Sequence, residues 1–258
     1  MDTKRTRFAL DIVTEFLPPS QKEIPKINGV YSDNKAKVII VCGGVPGSPS
    51  KPDLLDFFSK QGYWVIQLKY RGTWESGGEF MKLSPEQDVV DTINGLDKKF
   101  KDVWTEEWYR IQPQKLYLIG SSFGGPAVIL SSRNKKVDKV VCLSPEVDVT
   151  LESKAEPHDL FFKQIKEAFG EAYRISKKNW DKRKTGKFYN PMNHIEEIDG
   201  SKILIFHSKD DDIIDYRPVE EFAKLTGSKL KLYKRGGHLG LKFAVKQNYY
   251  HHIKEFLK

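Results

Sequence analysis

The sequence has few cysteines, only two among its 258 residues. Cys42 and Cys142 each lie inside an apolar run, where a buried free thiol is the expected state. Two such thiols do not form the disulfide framework of a small secreted domain, and a chain of this length can bury a core without one. We therefore expect a cytoplasmic protein.

Long hydrophobic runs are also missing. No stretch approaches the about 20 apolar residues that span a bilayer. The apolar segment at residues 8–16 is interrupted by Asp11 and Glu15, and no small-residue cleavage site follows it. We expect neither a membrane partner nor a signal peptide.

The chain has no excess of acidic residues, because its formal net charge is +8. Basic residues are densest at 177–184, and a nucleic-acid surface is one interpretation of that density. Elsewhere the lysines are interspersed with Asp and Glu, and no nucleic-acid motif is recognised. A solvated basic surface is the preferred interpretation, so no nucleic-acid partner is expected.

Strand-like and helix-like segments alternate along the chain. This pattern predicts an α/β fold with a mainly parallel twisted sheet of about eight strands and helices on both faces. The early runs at 8–17 and 24–31 predict an antiparallel edge hairpin. The clearest strands are residues 37–42, 63–68, 115–119, 139–143, 202–207 and 229–233, and the clearest helices are residues 53–61, 85–100, 124–132, 217–225 and 239–257.

One segment breaks the alternation. Residues 146–192 are charged and partly helical, with an apolar face at residues 160–165. Long insertions in compact domains often carry function, so this segment is predicted to be a cap over the substrate, with a peripheral decoration as the alternative. Residues 1–258 are expected to form a single domain.

The sequence Gly120-Ser121-Ser122-Phe123-Gly124 lies between an apolar strand-like run and a helix-like segment. That context is typical of the nucleophile elbow, in which a serine lies on a tight strand-to-helix turn and glycines flank it. Ser122 is the predicted nucleophile. A G-x-S-x-G match alone is weak, because serine and glycine are common.

A serine nucleophile requires a base and an orienting acid. His238 follows the last predicted strand beside two glycines, where a histidine has little packing role, and it is the predicted base. Asp211 lies after the 202–207 strand and is the predicted acid. The order Ser122, Asp211, His238 matches that of hydrolases with a nucleophile elbow.

Other acids remain possible at the Asp211 position. Asp210 and Asp212 share its loop, where the alternative roles are a solvated acidic side chain and a helix cap. Glu146 and Asp148 follow the 139–143 strand, a second place from which some hydrolases draw their acid.

An oxyanion hole needs two backbone N–H groups, one of them from the residue after the nucleophile. That residue is Phe123. The second donor is expected in the loop after the 37–42 strand, Gly43-Gly44-Val45-Pro46-Gly47-Ser48, and Val45 is the candidate because Pro46 has no N–H. A simple turn is the alternative function of this loop.

From about Val38 to Leu257 the chain resembles the α/β-hydrolase superfamily, in particular single-domain esterases and the catalytic domain of prolyl oligopeptidases. The 43–48 loop resembles the family's H-G-x-x-G motif with Gly43 in place of histidine. Residues 70–78 are similar to its Y-R-G-x-G-x-S-x-G loop, and residues 190–195 to its approach to the acid strand. The loop around Asp211 departs from G-x-x-D-x-x-V-P at Ser208 and Asp215.

The resemblance implies the α/β-hydrolase fold, the triad roles, no cofactor, and structural roles for His194 and His207. No metal site is expected either, because His251 and His252 are adjacent on a predicted helix and cannot face one ion together.

The expected function is that of a serine hydrolase, with a carboxylesterase favoured. Only the residues before Val38 precede the hydrolase core, and the related peptidases usually carry a large propeller domain. Hydrolysis of small peptides is the nearest alternative, and a catalytically silent binding protein is a third. The expected substrate is a small ester or short peptide, and the oligomeric state stays open, with a homodimer as one option.

Overall fold

The computed structural model describes residues 3–9, 11–153 and 155–258. Within these residues ten strands form one sheet. The strands are β1 (Lys4–Phe8), β2 (Ile12–Leu17), β3 (Lys26–Ile27), β4 (Val30–Cys42), β5 (Trp64–Leu68), β6 (Phe100–Lys101), β7 (Trp108–Ser121), β8 (Lys139–Leu143), β9 (Ile203–Ser208) and β10 (Lys229–Tyr233).

Eight of the strands lie side by side in the order β1-β2-β5-β4-β7-β8-β9-β10, while the short strands β3 and β6 pair with β4 and β7. Every pairing from β5 across to β10 is parallel. Only the pairings of β1, β2, β3 and β6 are antiparallel. The prediction of a mainly parallel sheet of about eight strands is confirmed.

Helices cover both faces of the sheet, as predicted. Residues of α1 and α7 pack in one hydrophobic cluster, and residues of α2, α3 and α6 pack in the other. None of the helices in the described part of the chain has the length and hydropathy of a membrane span. The helices are α1 (Pro52–Lys60), α2 (Pro85–Gly95), α3 (Gly124–Ser131), α4 (His158–Phe169), α5 (Lys177–Trp180), α6 (Tyr216–Thr226) and α7 (Gln247–Phe256).

The central strand β4 shows why this sequence forms a two-faced core. Val38 and Ile40 are fully buried in one cluster, while Ile39 and Val41 are fully buried in the other. Alternate side chains of a strand point to opposite faces, so a continuous apolar run fits a strand that is covered on both sides. The carboxyl ends of β4, β7, β8 and β9 consequently meet at one edge of the sheet, where their loops lie together.

The edge hairpin differs from the prediction. It is formed by β1 and β2, whereas residues 26–27 pair with the beginning of β4. Asn28 and Gly29 connect that second pair, and both have positive φ, at 49° and 79°. Asn-Gly favours this two-residue turn. This turn holds β3 beside β4. Strand β2 pairs with β1 on one side and with β5 on the other.

Two predicted helices are too long. The helix predicted at 85–100 ends at Gly95, and a Cβ at that position would lie 2.3 Å from the Phe8 ring. The helix predicted at 239–257 is a 3₁₀ turn, Leu241–Val245, followed by α7. Lys246 separates these two helices because its backbone is extended, with ψ at 136°.

Strand β7 begins seven residues before its predicted start at Lys115. Pro113 hides this extension in the sequence, because proline interrupts strand patterns. In the structure Pro113 pairs with Ala36, and the register between β4 and β7 shifts on both sides of this pair. A bulge of this kind accommodates a proline within a ladder.

The segment predicted as a cap contains α4, α5 and several 3₁₀ turns. It contacts the loop after β5: Arg174 N–H donates to Gly72 O, and Phe80 N–H donates to Arg174 O. Trp180 is fully buried and joins the core cluster that contains α2, α3 and α6. The single-domain assignment and the cap function remain predictions.

Candidate active site

Ser122 lies on the turn between β7 and α3. Its φ is +52°, a left-handed conformation that side-chain-bearing residues rarely adopt. The backbone N–H of Ser122 donates to Leu143 O at 3.0 Å, and Gly125 N–H donates to Ser122 O at 2.8 Å. Ser122 is half-buried, whereas Ser121 ends β7 and is buried. The strained turn therefore presents Ser122, and not Ser121, at the carboxyl edge of the sheet.

Glycines around Ser122 are required by close backbone approach. A Cβ on Gly120 would lie 2.5 Å from Gly124 O, and a Cβ on Gly124 would lie 2.3 Å from Cys42 O. A Cβ on Gly44 would lie 3.1 Å from Ser122 Cβ and 3.5 Å from Ser122 Oγ. The loop after β4 therefore lies directly against the serine.

We expect Gly124→Ala to destabilise the protein by about 2 kcal/mol or more, because the added methyl would overlap the carbonyl oxygen of Cys42. Urea unfolding followed by circular dichroism would measure the change. Gly240→Ala is the matched control, because a Cβ there would meet no heavy atom within 4 Å. Equal stability of the two variants would contradict this account of the turn.

The structure brings Asp211 and His238 together. His238 Nδ1 lies 3.0 Å from Asp211 Oδ2 and 3.1 Å from Oδ1. Asp211 Oδ1 also accepts hydrogen bonds from the backbone N–H groups of Ile213 and Ile214, both at 3.0 Å. A carboxylate held in this way fixes the imidazole with its proton on Nδ1, which leaves the Nε2 lone pair free to act as a base.

The environment of Asp211 keeps it ionised. Burial of its side chain works against the charge, but hydrogen bonds from His238 and the Ile214 backbone lower the pKa of Asp211 to about 2. His207 is fully buried beside it, with Nε2 3.0 Å from Ile214 O and 3.5 Å from Asp211 Oδ2. Burial lowers the pKa of His207, so its neutral ring donates to the Ile214 carbonyl and supports the loop.

Acid should weaken this arrangement. The folded-state pKa of about 2 lies below the unfolded value of about 3.9, so Asp211 contributes stability that is complete above about pH 4 and is lost as the pH falls through 2. Between pH 5 and pH 2 we expect the wild type to lose about 2 kcal/mol more unfolding free energy than Asp211→Asn, as measured by urea titrations. Parallel pH profiles for the two proteins would contradict this expectation.

The neighbouring acids have other partners. Asp210 Oδ1 accepts the N–H groups of Gly236 and Gly237, each at 2.9 Å, and so ties down the loop that carries His238. Asp212 is exposed. Glu146 Oε2 binds Arg183 at 2.5 Å, and Asp148 Oδ1 accepts from the Thr150 hydroxyl at 2.7 Å.

Of the two predicted oxyanion donors, Phe123 lies on the serine turn directly after Ser122, and Val45 lies in the loop after β4. Val45 and Phe123 are both buried. In the part of the chain that the structure describes, neither backbone N–H donates to a protein acceptor. Such N–H groups can bind a substrate oxygen without first breaking a protein hydrogen bond.

No hydrogen bond joins Ser122 to His238 among the described residues. In unliganded hydrolases such bonds are often long and tighten only when substrate is bound. The contacts that fix each partner are the Ser122 backbone bond to β8 and the His238 bond to Asp211.

Several supporting residues were missed by the sequence analysis. Ser144, with φ at 41°, accepts the Leu239 N–H at 3.0 Å and provides Asp211 with a further hydrogen bond that lowers its pKa. Tyr70 donates to Gly43 O at 3.1 Å, Tyr173 accepts from Gly47 N–H at 3.0 Å, and Tyr189 donates to Phe123 O. Tyr70 begins the 70–78 motif, whereas Ser144, Tyr173 and Tyr189 have no periodic or motif signal, and only the folded chain shows what each of the four contacts.

The sequence was also compared with models of known protein families. Residues 52–258 match the Prolyl oligopeptidase family. The chain belongs to that family. The resemblance to the α/β-hydrolase superfamily is thereby confirmed, and the protein is a member of a family of hydrolases.

Comparison with solved structures agrees on the fold. The esterase Pf2001 of Pyrococcus furiosus superposes with a TM-score of 0.68 and 16% identity, covering 99% of this chain and 90% of that one. Est1E of Butyrivibrio proteoclasticus gives a TM-score of 0.64 and 12% identity, with full coverage of both chains. The acylaminoacyl peptidase of Pyrococcus horikoshii gives 0.64 and 14%, covering 98% of this chain and 40% of the peptidase.

Sequence comparison with curated proteins is narrower. An uncharacterized 31.7 kDa Escherichia coli protein from the traX–finO intergenic region is 31% identical over 111 residues, which is 42% of this chain. The match spans about a third of that relative's length, 36%.

Proposed function

We propose that the protein is a serine hydrolase that cleaves carboxylic esters through an acyl-enzyme on Ser122. The observation that carries the proposal is the Asp211–His238 hydrogen bond, at 3.0 Å, at the same sheet edge as the strained Ser122. A histidine whose Nδ1 donates to a buried carboxylate is set to take a proton on Nε2. A serine presented on a positive-φ turn is the nucleophile that needs such a base.

In the proposed mechanism Ser122 Oγ attacks the ester carbonyl while His238 Nε2 accepts its proton. Asp211 stabilises the resulting imidazolium, and the Val45 and Phe123 N–H groups donate to the oxyanion. His238 then protonates the leaving alcohol as the acyl-enzyme forms. In the second half the same histidine activates water, which releases the acid and regenerates Ser122.

Ester hydrolysis is favoured over amide hydrolysis by the structural relatives. Pf2001, which is described as an esterase, matches over 90% of its own chain. The match to the acylaminoacyl peptidase covers only 40% of the peptidase chain. Peptide hydrolysis stays the second candidate, because the chain belongs to a peptidase family.

We also propose a cytoplasmic location and a small-molecule ester or short peptide as the partner. Cys42 and Cys142 are free and buried, and burial raises the pKa of both thiols well above the ordinary value. Inert reduced thiols suit a reducing compartment.

The experiment that tests the activity is labelling with a fluorophosphonate probe, followed by a panel of 4-nitrophenyl esters of graded acyl length and aminoacyl 4-nitroanilides. We expect labelling and faster turnover of the esters. Absence of labelling would refute the serine hydrolase proposal. A preference for the anilides over every ester would replace the esterase with the peptidase.

A further inference from the structure

A cavity of about 460 Å³ lies beside the proposed triad, between the cap segment (residues 146–192) and the loop that follows β9. Asp211 forms part of its wall. Asp211 also holds His238, so one carboxylate belongs both to the cavity wall and to the proposed triad. The cap segment provides Glu146, Glu156, His158 and Trp180 to the lining, and Tyr216 comes from α6.

The cavity wall is acidic although the protein as a whole carries a formal charge of +8. Seven carboxylates line it against three basic side chains. Two of the basic side chains are already paired, Arg183 with Glu146 at 2.5 Å and Arg217 with Asp215. The third, Lys209, lies over the Tyr216 ring at 5.5 Å.

Four of the wall carboxylates lack a counter-ion. Within residues 3–9, 11–153 and 155–258, no ion pair involves Asp148, Glu152, Glu156 or Asp212, and Asp148 is hydrogen-bonded to the neutral side chains of Thr150 and Asn190. Burial raises the pKa of Glu156, while the nearby His238 lowers it. A half-buried carboxylate in acidic surroundings is stabilised when a cation binds beside it.

A second observation is independent of the acidic residues. His158 is 8% exposed, and neither of its ring nitrogens has a hydrogen-bond partner among the described residues. Burial and the nearby Arg183 lower the pKa of His158 to about 4, so its ring is neutral and one nitrogen keeps an acceptor lone pair. A buried acceptor without a donor is costly, and an N–H group of a ligand would satisfy it.

The chemistry of the wall therefore has three parts: carboxylates without counter-ions, a neutral imidazole acceptor, and aromatic rings. Phe161 provides the ring on the cap side, whereas Trp180 is fully buried behind the wall and already stacks with the Arg183 guanidinium at 4.7 Å. Aromatic faces attract cations. An anionic or purely aliphatic group would gain none of these interactions.

We propose that this cavity binds a protonated amine carried by the substrate, with Glu156 as its principal counter-ion and His158 as a hydrogen-bond acceptor. The inference rests on the proposed hydrolase function, because the amine is part of the molecule whose carbonyl Ser122 attacks. It narrows the substrate class to esters or short acyl compounds that bear an ammonium group. The amine belongs either to the acyl part or to the leaving alcohol.

Matched substrate pairs test the proposal. In the first arm 4-nitrophenyl 6-aminohexanoate is compared with 4-nitrophenyl heptanoate, which has similar length but no charge. In the second arm 2-(dimethylamino)ethyl butyrate, which is protonated at neutral pH, is compared with 3-methylbutyl butyrate, in which a C–H group replaces the N–H group. We expect kcat/KM to be about tenfold higher for the cationic member of at least one pair, the preference that one partly screened ion pair supports.

The variant Glu156→Gln keeps the shape of the side chain and removes its charge. We expect it to abolish the cationic preference and to leave kcat/KM for the neutral substrates within about twofold of the wild type. Glu167→Gln is the matched control. Glu167 lies on α4 of the same cap segment, is exposed and is paired with Lys163 at 3.7 Å, so this variant should retain the preference.

The outcomes separate this inference from the proposed function. If the neutral esters are hydrolysed and the cationic preference is absent, or persists in Glu156→Gln, the amine site is wrong and the hydrolase stands. If no ester is hydrolysed and the fluorophosphonate does not label the protein, the hydrolase proposal itself has failed. Loss of activity toward both members of a pair in Glu156→Gln would also refute a role confined to amine recognition.

Discussion

Replacing Ser122 by alanine is expected to abolish fluorophosphonate labelling and to lower kcat for ester hydrolysis by about 10⁶. The alanine has no hydroxyl to form the acyl-enzyme, and water must then attack the carbonyl without a nucleophile positioned on the turn. Release of 4-nitrophenol from 4-nitrophenyl butyrate would measure kcat, and gel electrophoresis of the protein after incubation with a fluorescent fluorophosphonate would measure the labelling. Residual turnover reflects only the oxyanion donors and substrate binding.

Ser121 provides the control for that experiment. It is buried at the end of β7, pairs with Leu143 of β8 and precedes Ser122 directly. Ser121→Ala should therefore keep its labelling and most of its activity. If Ser121→Ala lost labelling and Ser122→Ala kept it, the nucleophile would be Ser121 and the assignment of Ser122 would be wrong.

The second large effect is expected for Asp211→Asn, which should lower kcat by about 10⁴. The asparagine NH2 takes the place of Oδ2 and donates to His238 Nδ1, so the imidazole carries its proton on Nε2 and that nitrogen is no longer a base. Asp211 also holds Ile213 and Ile214 at 3.0 Å, and an amide oxygen can keep these two bonds. The loss should therefore fall on kcat more than on KM, as a pH–rate profile with saturating substrate would show.

Asp210→Asn is the control for the acid. Asp210 contacts the Gly236 and Gly237 N–H groups and not the His238 ring. An asparagine oxygen can still accept from these donors, so we expect a loss of about tenfold or less. A larger decrease in kcat for Asp210→Asn than for Asp211→Asn would identify Asp210 as the acid that orients His238.

The parts of the fold that repeat a pattern could be predicted from the sequence. The predicted bounds of β8 and β10, Lys139–Leu143 and Lys229–Tyr233, agree with the structure because their patterns are local: β8 is a short apolar run and β10 alternates lysine with apolar residues. The Asn28-Gly29 turn is an equally local signal, but it was overlooked, and the hairpin was assigned to the wrong runs.

Features that depend on distant contacts could not be predicted. Gly95, the last residue of α2, leaves room for the Phe8 ring, which is far away in the sequence. Ser144 supports Asp211 and Leu239 only because β8 and β9 are neighbours in the sheet. The acidic cavity depends on where the cap segment folds back, and no motif encodes that position.

The hydroxyl contacts of Tyr173 and Tyr189 suggest how this enzyme could diversify. Tyr173 binds the loop that carries Val45, and Tyr189 binds the carbonyl of Phe123, so the far half of the cap segment is attached to both proposed oxyanion loops. Residues earlier in the segment, around Glu156, have no such attachment to these loops among the described contacts. If this segment covers the substrate as predicted, substitutions there should change which substrates bind, while the two tyrosines hold the proposed oxyanion donors in place. Grafting a relative's cap onto this sheet should therefore succeed when both tyrosines are retained.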